Sequence, residues 1–265
     1  MELTSADAKI FYEIKGQGAP LVLLHPFPAN HKFWEPAAAL LAQRYRLIMP
    51  DLRGHGASTP GDGAATMEKH AADMLRVCEA AGVARASFMG VSVGGYILFE
   101  FWRRYRDRVR ALILCDTRAQ QDTPEGRANR LKSAEDVLAR GPDTFLDDLL
   151  QKLLGATTRT SRPDLVAAAR RMLGEMTPAG IAAVQRGMAE RPDSVPTLKT
   201  ITVPTLICVG EEDKLTPRAD SELMHQNITG SRLEGIPSAG HYAPFEQHER
   251  VVTATRRFLD ALALS

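Results

Sequence analysis

The sequence contains few cysteines, and they form no recognisable pattern. Cys78, Cys115 and Cys208 are odd in number, lie in apolar segments and show no Cys-x-x-Cys spacing. This arrangement argues against a disulfide framework and against a cysteine-rich metal site. We expect three reduced, buried thiols, which are typical of proteins in a reducing compartment.

A long hydrophobic run and an excess of one charge are also missing. No stretch reaches the roughly 18 apolar residues that a membrane helix needs, and the first residues show no apolar segment preceded by basic residues. The 33 Lys and Arg residues nearly balance the 32 Asp and Glu residues, which leaves a net charge of +1. We therefore predict a cytoplasmic protein whose main partner is neither nucleic acid nor a membrane.

Ligand patterns for metals and nucleotides are absent as well. The histidines and carboxylates show no His-x-x-x-His or other clustered spacing, and no Gly-x-Gly-x-x-Gly follows the first predicted strand. These patterns supply metal ligands or cradle phosphates in many proteins. We expect no metal and no organic cofactor.

What the sequence does contain is a regular alternation of strand and helix patterns. Short apolar runs such as "LVLLH", "RLIMPD" and "ASFMGV" alternate with amphipathic patterns such as "MEKHAADMLRVCEAAG". Continuous apolar runs of this length are typical of strands that are covered on both faces. The alternation predicts an α/β fold with a mostly parallel central sheet flanked by helices.

The strand pattern disappears between about Arg118 and Leu198. Four helical patterns take its place, and the last three begin at a proline, a residue that suits the first turn of a helix. They lie near residues 131–140, 142–154, 163–176 and 178–190.

Strand patterns return after this segment with "TLICVG" and "SRLEGIP", and the chain closes on an amphipathic helix. The segment therefore reads as an insertion into the sheet domain. We predict a core formed by residues 1–117 and 199–265, and a helical cap or lid formed by residues 118–198.

A candidate nucleophile follows the strand "ASFMG". Residues 90–95 read "GVSVGG" and lead directly into the helical pattern "YILFEFW". Gly-x-Ser-x-Gly between a strand and a helix predicts a sharp turn that exposes the serine at a helix N-terminus, and the turn needs small neighbours. Ser92 is therefore the candidate nucleophile.

A serine hydroxyl needs a base to remove its proton, and the base needs an acid to orient it. In folds with this turn the acid and then the histidine follow the serine in the chain. Three histidines lie beyond the cap. His225 and His248 fall in helical patterns and are interpreted as surface residues, whereas His241 lies in the loop "SAGHYAPF" after a predicted strand. His241 is therefore the candidate base.

The acid has more than one candidate. Asp213 follows the strand "TLICVG" in a loop that ends at Pro217, and Glu211 and Glu212 stand beside it. Asp116, after "ALILC", occupies another strand end from which an acid can come. We select Asp213, and interpret the two glutamates as loop or surface residues and Asp116 as a cap at the entrance of the insertion.

Together these motifs resemble a known family. The set "HPFP", "DLRGHGAS", "GVSVGG", "GEEDKLTP" and "AGHYAPFE" is similar, in order and spacing, to the α/β-hydrolase superfamily with a helical lid. Within it the chain most resembles 3-oxoadipate enol-lactonase-like proteins and cofactor-free esterases and perhydrolases. The resemblance covers nearly the whole chain. It implies the same roles for Ser92, Asp213 and His241, and a small ester or lactone as substrate.

The stretch "HPFP" predicts part of an oxyanion hole. Attack on an ester carbonyl places negative charge on its oxygen, which backbone N–H groups can stabilise. Pro26 and Pro28 have no N–H, so Phe27 is the donor that this loop offers. The second donor is expected from Val93, the residue after the nucleophile.

The substrate pocket is the least specified part of the prediction. Side chains at helical spacing in the cap are expected to form an apolar ceiling, although such stripes are also typical of plain core. Trp34 either covers the entrance or fills the core. The predicted substrate-binding residues are Trp34, Leu149, Leu153, Met172, Met176 and Met188.

The resulting hypothesis is a serine hydrolase that cleaves a small carboxylic ester or lactone through an acyl-enzyme. A dicarboxylate lactone would require an arginine in the pocket, whereas a generic short-chain ester would not. Two alternatives remain open: a cofactor-free perhydrolase or haloperoxidase-type activity, and a non-catalytic small-molecule receptor on the same fold. We expect a monomer or a small homo-oligomer.

Overall fold

An eight-stranded sheet forms the centre of the molecule. The computed structural model describes residues 1–263. The strands are β1 (Glu2–Ser5), β2 (Ala8–Lys15), β3 (Ala19–Leu24), β4 (Tyr45–Pro50), β5 (Ala86–Val91), β6 (Val109–Cys115), β7 (Thr205–Gly210) and β8 (Arg232–Ile236).

The strand order across the sheet is β1-β2-β4-β3-β5-β6-β7-β8. Strand β2 pairs antiparallel with both β1 and β4, and every other neighbouring pair is parallel. Every residue of β5 and β7 is buried, as expected for strands that are covered on both faces. The predicted mostly parallel sheet is confirmed. Strand β1 was not predicted, because "ELTS" contains no apolar run.

Helices flank the sheet and fill the long connection between β6 and β7. In the described residues α2 packs on α3, and α1 packs on α12. No helix in residues 1–263 combines the length and the apolar character needed to cross a bilayer. The α-helices are α1 (Glu35–Leu41), α2 (Met67–Ala80), α3 (Val93–Tyr105), α4 (Pro124–Arg140), α5 (Asp143–Leu153), α6 (Ala156–Ser161), α7 (Pro163–Leu173), α8 (Pro178–Ala189), α9 (Val195–Leu198), α10 (Arg218–Asn227), α11 (Ala243–Glu246) and α12 (His248–Ala263).

The connection between β6 and β7 contains six helices, α4 to α9, where the sequence predicted four. Pro163 and Pro178 begin α7 and α8 as predicted, whereas Pro142 stands one residue before α5. Helix α4 begins at Pro124, earlier than predicted. Helix α6 was missed because its sequence "ATTRTS" has no apolar face. We refer to residues 118–198 as the cap segment.

The three cysteines are free and buried, as predicted. Burial raises the pKa of the Cys78 thiol to about 12. Thiols in such surroundings are poor nucleophiles because little thiolate forms.

Helix α8 lies directly against the backbone of the core. Ala65 N donates a hydrogen bond to Ala183 O at 2.9 Å. A Cβ added at Gly187 would lie 1.8 Å from Ala65 O, and one added at Gly180 would lie 2.1 Å from Gly54 O. Only glycine permits this approach, so these positions fix how α8 sits over the sheet domain.

The variant Gly187→Ala tests this contact. We expect the free energy of unfolding to fall by about 1–3 kcal/mol, because the methyl group overlaps a backbone oxygen that is held in place. Gly174→Ala is the matched control, since a Cβ there meets its nearest atoms at 3.5 Å. Urea denaturation measures both, and equal stability of the two variants would contradict the assigned contact.

Candidate active site

Ser92 lies between β5 and α3 in a backbone conformation that residues other than glycine rarely adopt. Its backbone angles are φ +53° and ψ −112°. Ser92 N donates to Cys115 O at 3.0 Å, and Ser92 O accepts from the Thr117 hydroxyl at 2.7 Å. These bonds hold a strained turn of the kind found at functional sites.

The glycines around Ser92 are required by close backbone contacts. A Cβ at Gly90 would lie 2.6 Å from Gly94 C, and a Cβ at Gly94 would lie 2.6 Å from Leu24 O at the end of β3. A larger residue at either position would push the turn away from the sheet. The small residues of the Gly-x-Ser-x-Gly motif are thus explained by packing.

His241 and Asp213 form a buried pair at the carboxyl edge of the sheet. The His241 Nδ1 and Asp213 Oδ2 atoms are 2.8 Å apart. Because the carboxylate is an acceptor, it places the proton of neutral His241 on Nδ1 and leaves Nε2 available as a base. Ser92 and His241 line the same cavity.

The Asp213 carboxylate is held by its own loop. Its Oδ1 accepts from Leu215 N at 2.8 Å and from Thr216 N at 3.1 Å, and its Oδ2 accepts from the Thr216 hydroxyl at 2.6 Å. Burial raises the pKa of Asp213, but the charge of His241 and these hydrogen bonds outweigh it, so that the net pKa is lowered. Asp213 therefore stays ionised beside the imidazole.

The other candidates for the base and the acid lie away from the pair formed by His241 and Asp213. In the described residues, His225 is exposed on α10 and His248 begins α12, and neither lines the cavity. Glu211 is exposed. Glu212 accepts a hydrogen bond from Thr157 N at 2.8 Å, so it contacts the cap segment rather than the histidine.

Asp116 has a different role from the one expected. Its buried carboxyl accepts from Gly210 N at 2.7 Å and from Ala243 N at 3.2 Å. Burial, reinforced by the nearby Asp213, raises its pKa well above the usual range. Asp116 therefore ties the end of β7 to the loop that carries His241, and does not cap the entrance of the insertion.

Glu246 ties the cap segment to the same loop. It is buried and accepts from Gly155 N at 2.8 Å and from Gly240 N at 2.9 Å. A Cβ at Gly240 would lie 2.3 Å from Gly155 N, so the two backbones are in direct contact. The turn between α5 and α6 is thereby held beside His241.

Two backbone N–H groups are available near Ser92. In the described residues neither Phe27 N nor Val93 N donates to a protein acceptor. Val93 is the first residue of α3, and the first N–H groups of a helix have no partner within it. Phe27 lines the cavity with Ser92. Both N–H groups thus lack a protein acceptor; Phe27 reaches the cavity, whereas Val93 is fully buried and is not among the described lining residues.

His25 supports the loop that carries Phe27. Its Nδ1 donates to Pro26 O at 2.9 Å, and its Nε2 accepts from Leu52 N at 2.9 Å. Burial lowers the pKa of His25 to about 4. His25 is therefore a neutral structural link between two loops.

The cavity above Ser92 has a volume of about 290 Å³. Its walls come from loops of the core, from α3 and from the cap segment. The lining residues are Phe27, Ser92, Tyr96, Arg118, Asp122, Arg130, Phe145, Leu149, Leu153, Gln185, Met188, Arg191, Leu215, Thr216 and His241.

The predicted pocket residues divide into two groups. Leu149, Leu153 and Met188 line the cavity. Trp34 does not line it: this residue is fully buried, with its ring edge-on to Phe33. Met172 and Met176 are likewise absent from the described lining and belong to the buried core.

Sequence reasoning missed several lining residues. Tyr96, Phe145 and Gln185 lie on predicted helices, but nothing in the periodicity separates a cavity face from a buried face. Thr216 could have been predicted from the sequence, because a hydroxyl three residues after a loop aspartate can hydrogen-bond to that aspartate.

Within residues 1–263, no cluster of three His, Cys, Asp or Glu residues is placed to hold a metal ion.

Arginines give the cavity a polar wall. Asp122 pairs with Arg191 at 2.8 Å and also accepts from Arg130. The Arg191 guanidinium lies over the Tyr96 ring, 4.4 Å from its centroid. Arg118 stands opposite Asp220, with Nε 3.2 Å from the carboxylate. The wall thus contains more cationic than anionic groups, all held by defined contacts.

The strained turn at Ser92 and the paired Asp213 and His241 form a candidate hydrolase-type site at the carboxyl edge of a mostly parallel sheet. Residues 19–247 match the α/β hydrolase fold family, and the chain belongs to that family. This confirms the resemblance in the sequence motifs.

Individual relatives cover almost the whole chain. The malate-bound structure of a thermophilic esterase from Thermogutta terrifontis is 38% identical with a TM-score of 0.95, and 98% of each chain is covered. The 3-oxoadipate enol-lactonase 1 of Acinetobacter baylyi is 26% identical, over 93% of this chain and 91% of its own. A protein named as a non-heme bromoperoxidase, BpoC of Mycobacterium tuberculosis, is 28% identical over 93% and 96%.

Removal of the Thr216 hydroxyl tests whether its hydrogen bond to Asp213 supports the candidate acid. In Thr216→Val we expect the rate at which a fluorophosphonate labels Ser92 to fall by about 10- to 100-fold, because a hydrogen bond to a charged group is lost. Thr216→Ser keeps the hydroxyl and is expected to label near the wild-type rate. Equal losses in both variants would contradict the role of the hydroxyl.

Proposed function

We propose that the protein hydrolyses small carboxylic esters or lactones through an acyl-enzyme on Ser92. The observation that carries the proposal is the strained serine in one cavity with a histidine whose Nδ1 is bonded to a buried carboxylate at 2.8 Å. This set of groups can activate a serine and recycle the proton that the serine loses. The esterase and the enol-lactonase among its relatives support the same class of reaction.

In the proposed mechanism the Ser92 hydroxyl attacks the carbonyl carbon while His241 Nε2 takes its proton. The carbonyl oxygen becomes an oxyanion, which Phe27 N–H and Val93 N–H stabilise by about 3 kcal/mol each. Asp213 stabilises the imidazolium. Collapse of the intermediate expels the alcohol, which receives the proton from His241 and stays attached when the substrate is a lactone.

Water completes the cycle. His241, neutral again, takes a proton from water as the water attacks the acyl-enzyme, and the same oxyanion donors stabilise the second intermediate. Collapse returns the proton to Ser92 and releases the acid. The cycle uses the same three side chains in both halves.

The serine is tested by Ser92→Ala with p-nitrophenyl acetate and butyrate. We expect kcat/KM to fall by at least about 10³-fold, because the variant has no nucleophile. Ser87→Ala removes a serine of β5, the strand before Ser92, that does not line the cavity, and it is expected to retain activity. Equal rates in the wild type and Ser92→Ala would refute the assignment.

The polar wall favours a substrate that carries a carboxylate. Arg118 is 31% exposed, donates through Nη2 to Leu215 O, and has no acceptor for Nη1 in the described residues. It can therefore meet an anionic group, as a dicarboxylate lactone requires. The related esterase bound malate, a dicarboxylate, which supports this choice over a wholly uncharged ester.

Arg118→Met tests whether Arg118 contacts a carboxylate of the substrate. For p-nitrophenyl hemisuccinate we expect KM to rise about 10- to 100-fold relative to p-nitrophenyl butyrate, because a charge-assisted hydrogen bond is lost. Arg159→Met is the control, since Arg159 is exposed and does not line the cavity. A parallel change for both esters would contradict a carboxylate contact at Arg118.

Perhydrolysis is the second candidate, and the bromoperoxidase relative favours it. If hydrogen peroxide replaces water in the attack on the acyl-enzyme, the product is a peracid. Peracid formation from an ester and peroxide measures this directly. A third possibility, a receptor without turnover, requires a Ser92 that neither labels with fluorophosphonate nor hydrolyses any ester.

A further inference from the structure

A second cavity lies beside the one that contains Ser92. It has a volume of about 260 Å³ and lies between α4 and α5. Among the described residues, Phe145 is the one that lines both cavities. The second cavity is lined by Ser133, Asp136, Val137, Arg140, Gly141, Thr144, Phe145 and Asp148.

Helix α5 forms the wall between the two cavities. Phe145, Leu149 and Leu153 are spaced by four residues and line the first cavity, so they share one face of the helix. Thr144 and Asp148 line the second cavity from the adjacent face. Phe145 lies where the two faces meet, in the first turn of α5, and contributes to the lining of both cavities.

The Phe145 ring is supported next to the proposed reaction centre. Its centroid lies 6.2 Å from that of Phe27, and the two rings are inclined by 51°. This distance and tilt are favourable for aromatic pairs. Phe145 therefore lies beside Phe27, the residue whose N–H is proposed to stabilise the oxyanion.

The two sides of Phe145 differ in chemistry. On the catalytic side its neighbours on α5 are leucines, which suit an alkyl chain. On the other side the lining is mostly polar, and Arg140, Thr144 and Asp148 are exposed. A chain that passed Phe145 would leave the leucines of α5 and enter the second cavity, whose lining is mostly polar and partly exposed.

We propose that Phe145 determines substrate size by closing the catalytic cavity on this side, so that short chains fit and longer chains meet the ring. This inference rests on the proposed ester or lactone hydrolysis. Removal of the ring joins the two cavities and gives a long chain a path to solvent.

The test compares chain-length profiles of the wild type, Phe145→Ala and Phe145→Leu. One series varies the acyl chain of p-nitrophenyl esters from acetate to decanoate, and a second varies the alcohol of alkyl acetates. In Phe145→Ala we expect kcat/KM for decanoate or decyl chains to rise about ten-fold or more relative to the shortest chain, in one of the two series. Phe145→Leu is expected to give a smaller rise.

Two variants on α5 provide controls. Thr144→Ala alters the second cavity alone and is expected to keep the wild-type profile. Leu149→Ala enlarges the first cavity without opening it to the second, so its gain should stop at medium chains. The proposal is wrong if the wild type already accepts decyl chains as well as acetyl, if Phe145→Ala keeps the wild-type profile in both series, or if Leu149→Ala matches its gain.

A binding experiment separates this proposal from the proposed reaction. Calorimetry with butanoate to decanoate is performed on Ser92→Ala and on Ser92→Ala/Phe145→Ala. We expect Phe145→Ala to tighten decanoate binding about ten-fold and to leave butanoate binding nearly unchanged. If no ester is hydrolysed but decanoate binding still tightens, the proposed reaction is wrong and the proposed role of Phe145 is supported. If esters are hydrolysed and neither measurement responds, the proposed role of Phe145 is wrong.

Discussion

The site depends on the strained backbone of Ser92. For a residue other than glycine, a backbone conformation at φ +53° and ψ −112° costs on the order of 1–3 kcal/mol. The surrounding structure must therefore impose this conformation on Ser92. Strand β5 is buried between parallel neighbours, and the contacts of Gly90 and Gly94 with their surroundings allow no other residue. The same turn that raises the serine above the sheet also leaves the N–H of Val93 without a helical partner.

Three buried acids organise the loops around the serine, and their environments differ. Asp116 and Glu246 accept backbone N–H groups, and burial raises the pKa of both. Asp213 is also buried, but the charge of His241 and the bonds from Thr216 lower its pKa. Two acids therefore serve as connectors, and the charge is kept beside the imidazole, where the proposed proton transfer from Ser92 requires it.

In the proposed function the cap segment supplies selectivity, while the sheet domain carries the candidate reacting groups. Helix α8 contacts the core backbone through Gly187, and the turn before α6 is bonded to Glu246. With the cap segment held at these two points, α5 can present leucines and Phe145 to the cavity, and Arg130 and Arg191 can form its polar wall. In the proposed function, substrate size and charge depend on residues that the proposed chemical steps do not use.

The sequence by itself determined the fold class, and it singled out Ser92, Asp213 and His241 as the candidate reacting groups. Apolar runs and the turn around Ser92 are local signals, and the order of Asp213 and His241 after strand ends follows from parallel topology. Tertiary structure decided which side chains meet the cavity. Leu149 lines it whereas Trp34 and Met172 do not, because a stripe at helical spacing is the same whether it faces core or cavity. Arg118 reaches the site because segments far apart in the chain close around one space.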